Sequence, residues 1–447
     1  MLGTHLSRWT LAWFGSALVF LLASCCLALF GGVGQADWSG GAGLALVHLF
    51  ALGWLCQVML GALIQFVPVL AAHPLALPVL ALPALIATSL GTAGLAAGFL
   101  FLDGHDALGP LFLTGPAALA LGFTLVAVMV GATLLTPARL RLEGVGLVVL
   151  AFAALGGLWV SGAAMVLTLS GSGVMVDLGQ TLPLHMLFGI GGWLSVAAFG
   201  VSYKLFAMFL LAPEQGGILR KAVFFMANAA VALLLTALVL VFTGRSAGWA
   251  LAIVVGLIPL NAGLYLAEIA RLWRSRRRPL PEPNMLWSRA ALIFLGLAAV
   301  IALPGWYRGG VWAETAVFVA IVGWLSTLTL AQMVKIVSFL TWIQIFAPRI
   351  GRQPIPMVQK LTDAKATGWC LALWSAGTFA GAVSLLLASP LCFRFAAALL
   401  TLGAFGIIRE LIAIRHLSHL APTERPAALP HLILPFNPTR QPAESHP

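Results

Sequence analysis

The tripeptide Gly-Trp-Leu occurs three times in this chain, at Gly53-Trp54-Leu55, Gly192-Trp193-Leu194 and Gly323-Trp324-Leu325, each time inside a long apolar segment. The correspondence continues past the tripeptide. Seven residues after each tryptophan stands a small residue (Gly61, Gly200, Ala331), and eleven after it a long polar one (Gln65, Lys204, Lys335). These segments are the second, sixth and tenth of twelve apolar runs, so the pattern reads as a unit of four helices repeated three times.

The twelve runs lie near 9–31, 42–70, 76–102, 110–136, 144–170, 180–212, 221–243, 247–270, 286–304, 311–346, 366–388 and 391–414. Most reach the roughly 20 residues needed to cross a bilayer. With 61% hydrophobic residues, 8% charged ones and a mean hydropathy of +1.04, the chain cannot be a soluble globule, where about 25% of residues are charged. The fold class is therefore all-α and polytopic: residues 1–420 form a twelve-helix membrane domain of three pseudo-threefold-related units. Residues 421–447, rich in proline and polar residues, read as a disordered cytoplasmic tail in which His431 and His446 are incidental.

A net charge of +11 raises the question of nucleic acid, and the placement of the charge answers it. With the N-terminus inside, eighteen lysines and arginines in the connections and helix ends fall on the inner side, against only Arg245, Arg308 and Arg394 on the outer. This is the positive-inside asymmetry. It makes the basic excess topological, the bilayer the main partner, and both termini cytoplasmic, as in a bacterial inner-membrane protein. The first run lacks a small-residue cleavage site followed by polar chain and reads as an anchor. Two inner connections, the basic stretch from Arg271 to Asn284 and the segment from Pro348 to Ala366, read as solvated loops, with docking of a partner or anionic lipid as the alternative. The five cysteines (Cys25, Cys26, Cys56, Cys370, Cys392) show no paired spacing, which predicts neither a disulfide framework nor a zinc site.

Ionisable groups inside a bilayer are costly and usually functional. His48 lies about six residues into the second run and His185 about five into the sixth, which at a rise of about 1.5 Å per residue places both in the outer third of the membrane. They precede the repeated tryptophan by six and eight residues, near-equivalent positions of two repeats. Two neutral imidazoles at matched depth can ligate a metal or a haem iron; the alternative is a pair of histidines hydrogen-bonded within the bundle. Gly189 and Gly192 follow His185 on one helical face, leaving a smooth strip for a macrocycle or, equally, for a close helix contact. Leu52, Leu55 and Met59 line the same face as His48, and Cys56 and Met59 add soft atoms of the kind that suit Cu(I).

Other polar groups have blander readings. Lys204 and Lys335 snorkel to the inner interface, or form an inner entry path with Gln65, Gln332 and Tyr203. Glu268, Asn261 and Glu410 beside Arg409 read as inner-edge polar groups or ion pairs. Asp103-Gly104-His105-Asp106 reads as a solvated outer turn, with a divalent-ion site as the alternative, and His416 with His419, one helical turn apart, as an interfacial cluster, with a metal-holding pair as the alternative. The phosphate loops, nucleophile elbows and His-Glu-x-x-His patterns of soluble enzymes are absent from the sequence, so no catalytic residue is named.

Twelve runs in three units, with the second, sixth and tenth equivalent and a histidine in the outer part of the second, resemble subunit I of the haem–copper oxidases and nitric oxide reductases and the related NnrS-like haem and copper membrane proteins. Val47-His48 through Gly61 to Pro68 is similar to that family's second helix, whose histidine is an axial haem ligand. His185 falls on the sixth helix, where the oxidases place a copper ligand. The chain departs from the oxidases at Met186-Leu187-Phe188-Gly189, where they carry Pro-Glu-Val-Tyr or a variant. It departs again in the seventh run, with Met226 and Asn228 but no histidine pair, and in the tenth, with no histidine at all. The resemblance thus implies a b-type haem (heme b), or copper, held by His48 and His185 without terminal oxidase activity. It also implies a role in respiratory or nitric-oxide-related metabolism and contact with respiratory-chain subunits or a redox partner. The competing expectation is a cofactor-free transporter or assembly factor built on the same scaffold.

Overall fold

The structure, a computed structural model, describes residues 7–31, 38–140, 144–213, 216–352, 354–426 and 432. Among the described residues there are twelve helices long and apolar enough to cross a membrane: α1 (Ser7–Phe30), α2 (Gly41–Ala71), α3 (Pro78–Asp103), α4 (Asp106–Leu134), α5 (Val145–Leu169), α6 (Leu178–Leu210), α7 (Ile218–Phe242), α8 (Gly248–Arg274), α9 (Pro283–Arg308), α10 (Gly310–Ile345), α11 (Ala364–Leu386) and α12 (Pro390–Arg415). No strand occurs among them. Each expected apolar run has become one span, with ends displaced by a few residues.

The spans assemble as the repeat requires. In each unit the first helix packs on the second (α1 on α2, α5 on α6, α9 on α10) and the third on the fourth (α3 on α4, α7 on α8, α11 on α12). Contacts of α4 with α5, α8 with α9 and α12 with α1 close the three units into a ring, and α2, α6 and α10 meet one another at its centre. Burial agrees: 61% of the apolar window of α2 and of α6 and 78% of that of α10 are buried, against 28–50% in the other nine spans.

Each Gly-Trp-Leu lies inside a wide-turned π-helical segment: Leu49–Cys56 in α2, Leu187–Ser195 in α6 and Val319–Ser326 in α10. A π-turn inserts residues into the ladder without breaking the helix, and such bulges frequently occur at functional sites. The three indoles, of Trp54, Trp193 and Trp324, are fully buried on the pseudo-threefold axis. The Trp54 indole donates to Ser326 Oγ (3.0 Å) and that of Trp324 to Ser195 Oγ (3.2 Å), while Trp193 interacts with the Cys56 thiol without hydrogen-bond geometry at its indole nitrogen. Each acceptor side chain stands two residues after its own tryptophan. The three pairs therefore run in one direction around the axis, α2 to α10, α10 to α6, and α6 to α2.

The glycine before each tryptophan admits the neighbouring helix of its unit. A Cβ at Gly53 would stand 2.5 Å from Phe20 Cγ on α1, one at Gly323 2.8 Å from Phe294 Cγ on α9, and one at Gly192 2.8 Å from Ala154 Cβ on α5. Lipid tails are as apolar as leucine, so close packing of this kind, rather than the hydrophobic effect, holds such helices together. Of the expected tail, residues 421–426 are described and form a turn whose Glu424 pairs with Lys360 (2.8 Å). His431, His446 and most of the remaining tail lie outside the described residues.

Candidate functional site: a histidine pair between α2 and α6

His48 ends the α-helical first turns of α2, and His185 lies two residues before the π-segment of α6. Both rings are partly buried, and their centroids are 6.3 Å apart with planes inclined by 32°. The two residues singled out in the sequence are thus neighbours, though 137 positions separate them. A third ring, that of Phe99 from α3, lies 4.6 Å from the His48 centroid.

The hydrogen bonds fix which nitrogen is left free. His48 Nδ1 lies 2.8 Å from the carbonyl of Leu44, and His185 Nδ1 lies 3.1 Å from that of Leu158 and 3.2 Å from Ser161 Oγ. A carbonyl only accepts, so in the neutral imidazole Nδ1 carries the proton. Ser161 has a single hydroxyl proton and points it at the Gly157 and Leu158 carbonyls (2.8 and 3.0 Å), so its oxygen accepts from His185. Both rings are therefore held as the tautomer with a lone pair on Nε2, the orientation that backbone carbonyls impose on metal-binding imidazoles.

A metal on the line between two such nitrogens, with bonds of about 2.0 Å and about 1.1 Å from nitrogen to ring centre, separates the centroids by about 6.2 Å. The observed centroid separation is 6.3 Å. Among the described residues no group of three or more His, Cys, Asp or Glu side chains is placed to hold a metal ion. At the matching registers of the third central helix stand Ala316 and Phe318.

The strip formed by Gly189 and Gly192 faces α5. A Cβ at Gly189 would lie 3.2 Å from Leu158 Cδ1, and one at Gly192 meets Ala154, so both glycines serve helix contact here. Gly162 of α5 supplies the floor of His185, since a Cβ there would stand 2.9 Å from His185 Cε1. Cys56 is engaged with Trp193, and Met59 lines a cavity below the tryptophans. Of the cations expected on the outer side, Arg308 lies over Trp312 (5.3 Å) and Arg394 borders a groove between α11 and α12.

Most of the remaining polar residues fall into networks at the helix ends away from the histidine pair. Lys335 pairs with Glu282, which also pairs with Arg278. Gln332 receives Asn284 Nδ2 (3.2 Å) and donates to Ser288 Oγ (2.8 Å). Glu268 pairs with Arg271 (2.9 Å) and Arg220 (3.8 Å), and Arg220 covers the Tyr203 ring. Glu410 accepts from the Asp363 amide (2.8 Å) and pairs with His419 (3.1 Å), while His416 is exposed. Asp103 turns out to be a cap: its carboxylate accepts from the Gly41 and Ala42 amides (2.7 and 2.9 Å) at the start of α2, steadying the helix that carries His48.

Beyond the tryptophans from the histidine pair, a small, partly open pocket of about 70 Å³ is walled by α1, α2, α6 and α10 and includes Phe14, Val58, Ala198, Leu325 and Gln332. Neither imidazole lines it. Compared with family models and with curated proteins, the chain matches none.

Proposed function

We propose that this chain is a metal-centre protein of the bacterial inner membrane, holding haem iron or copper between His48 and His185 near the outer surface, without terminal oxidase activity. The single observation that supports it is the pairing of two imidazoles at 6.3 Å, each with Nδ1 committed to a backbone carbonyl. With Nδ1 so committed, each ring keeps its Nε2 lone pair as the atom that would ligate a metal. The centre would supply electron transfer or binding of a small axial ligand, with a respiratory or nitric-oxide-related redox partner on the outer face. The family resemblance is the support for that physiology.

A transporter using the pseudo-threefold axis would have to pass Trp54, Trp193 and Trp324, which are packed to zero or one per cent exposure and tied across the axis. That plug disfavours an axial route. The absorption spectrum and metal content of the detergent-purified protein test the proposal. A Soret band or bound copper that disappears in both His48→Leu and His185→Leu is the expected result, and a folded, colourless, metal-free protein overturns it. Orientation is tested by impermeant maleimide on intact cells, in a background lacking Cys26 and Cys392. Ser246→Cys, between α7 and α8, should label and Arg277→Cys, between α8 and α9, should not.

A further inference from the structure

At the end of the bundle away from the histidine pair, α8 and α9 are joined by a short connection rich in arginine. We infer that Arg276 and Arg289, which converge on the indole of Trp273, hold the phosphate of an anionic phospholipid whose acyl chain lies along the exposed face of α9.

Position argues first. Arg289 is exposed and stands six residues after Pro283, roughly 9 Å along α9 at the usual helical rise. Leu286, Ile293, Leu297 and Val300 share its side of the helix and are 42–65% exposed. Such an apolar stripe on a membrane span faces lipid, where an uncompensated charge is costly and calls for a partner.

Charge argues next. From Gly248 to Arg308 the sequence has two carboxylates, Glu268 and Glu282, and both are taken. Glu268 pairs with Arg271 (2.9 Å) and Arg220 (3.8 Å), and Glu282 with Arg278 and Lys335. Among the described residues no carboxylate pairs with Arg274, Arg276, Arg277 or Arg289. The guanidinium carbons of Arg276 and Arg289 lie instead 5.9 and 5.5 Å from the Trp273 ring centroid. Cation–π contact orients a guanidinium while leaving its charge and most of its N–H donors open. Two cations from either side of the connection are thus gathered at one ring, and phosphate is the anion whose oxygens suit such donors. The Trp273 N–H is itself buried without an acceptor. The connection is pinned in place, since the Arg278 amide donates to the Leu210 carbonyl at the end of α6 (3.2 Å) and Arg276 Nη1 to the Trp273 carbonyl (2.9 Å).

The test reconstitutes the full chain in nanodiscs of equimolar phosphatidylglycerol and phosphatidylcholine, exchanges it into detergent and counts the retained lipids by mass spectrometry. Phosphatidylglycerol should be retained several-fold over phosphatidylcholine. The preference should fall by about fivefold in each of Arg276→Gln and Arg289→Gln, and stay unchanged in Arg245→Gln, between α7 and α8. Arg276 lies outside the helices, so its variant reports even where Arg289→Gln lowers the yield. Equal retention of the two lipids, or a preference unchanged in Arg276→Gln, overturns the proposal and leaves the arginines merely hydrated. Inorganic phosphate that raises the melting temperature of delipidated protein as much as phosphatidylglycerol does, with the same dependence on both arginines, overturns the lipid in favour of a soluble anion.

Discussion

The indole N–H of Trp54 donates to Ser326 Oγ although 272 residues separate them, and this one bond ties the first repeat to the third at the centre of the molecule. Ser326 spends its own proton on the Ile321 carbonyl (2.8 Å) inside the π-segment, so its oxygen is available only as an acceptor. Removing it leaves a fully buried indole N–H unpaired. Interhelical hydrogen bonds in membranes average about 0.6 kcal/mol, and an orphaned buried donor costs about 1–3 kcal/mol. Ser326→Ala should therefore lower the melting temperature in detergent by several degrees. Cys56→Ser, which gives Trp193 the oxygen that the other two indoles already have, should leave it unchanged or raise it.

The glycine in front of each tryptophan is a second, independent measure of the repeat. At Gly323 an added Cβ lies 2.8 Å from Phe294 Cγ and at Gly53 2.5 Å from Phe20 Cγ, so each ring would have to move within a packed interface. Overpacking of this kind costs about 1–3 kcal/mol. Gly323→Val and Gly53→Val should each reduce the yield of monodisperse protein, whereas Gly256→Val, where a Cβ would meet nothing within 4 Å, should not. Size-exclusion yields of the three variants decide the matter.

The architecture is legible because composition and the Gly-Trp-Leu period mark twelve spans and a repeat of four, and neither depends on side-chain detail. The histidines were legible for the same reason: an ionisable group at membrane depth stands out against 61% hydrophobic residues. What surrounds them was not. Ser161 is one of many hydroxyls that can bond back to its own helix, and only the crossing of α5 and α6 sets its oxygen beside His185. The glycine strip carried two readings in the sequence, and Leu158 and Ala154 from a helix about thirty residues upstream supply the contact seen here. The π-segments left no propensity signal. Their trace was the small polar residue two places after each tryptophan, Cys56, Ser195 and Ser326, a correspondence visible in the sequence but given meaning only by the pairing across the axis.

Lys335, expected to snorkel at the inner edge, is instead held in an ion pair. Its ammonium is about nine-tenths buried and paired with Glu282, itself 13% exposed and shared with Arg278. Deleting one partner of a buried pair leaves an uncompensated charge, at a cost of about 3 kcal/mol. Glu282→Gln should thus destabilise strongly. The double variant Glu282→Gln with Lys335→Gln should recover a large part of the loss. Melting temperatures of the two singles and the double form the cycle that measures the coupling.

At the start of α11, the carboxylate of Asp363 caps the helix through the Lys365 and Ala366 amides (2.9 and 3.0 Å). The hydrogen bond from Ala366, foremost, holds its pKa below the ordinary 3.8, with the Lys365 amide, His419 and Lys365 acting in the same direction. For a carboxylate lowered on folding, the stabilisation is present above the unfolded pKa and is lost as pH falls through the folded one. Amide exchange in the first turn of α11 should accordingly be pH-independent in its protection from pH 7 down to about 5, then rise as the carboxylate is protonated. Asp363→Ala should show fast exchange throughout, with a helix-cap loss of about 1 kcal/mol.

If the proposed metal centre exists, Ser161 offers the sharpest separation of its ligand His185 from the group that positions it. Its hydroxyl touches His185 Nδ1, not Nε2, and Leu158 provides a second acceptor at 3.1 Å. Replacing it by alanine therefore leaves the ligand set intact while loosening the ring. Partners of this kind are worth about 10–100-fold in metal affinity. With one carbonyl remaining, Ser161→Ala should sit near the lower end, about tenfold, with one metal per chain still bound at saturation. Ser161→Thr, which keeps the oxygen, should restore affinity if the added methyl is accommodated. A purely structural role for Ser161 would instead lower the melting temperature of the metal-free protein and leave the affinity of the folded fraction unchanged. A competitive metal titration run beside a melt of the metal-free protein tells the two apart.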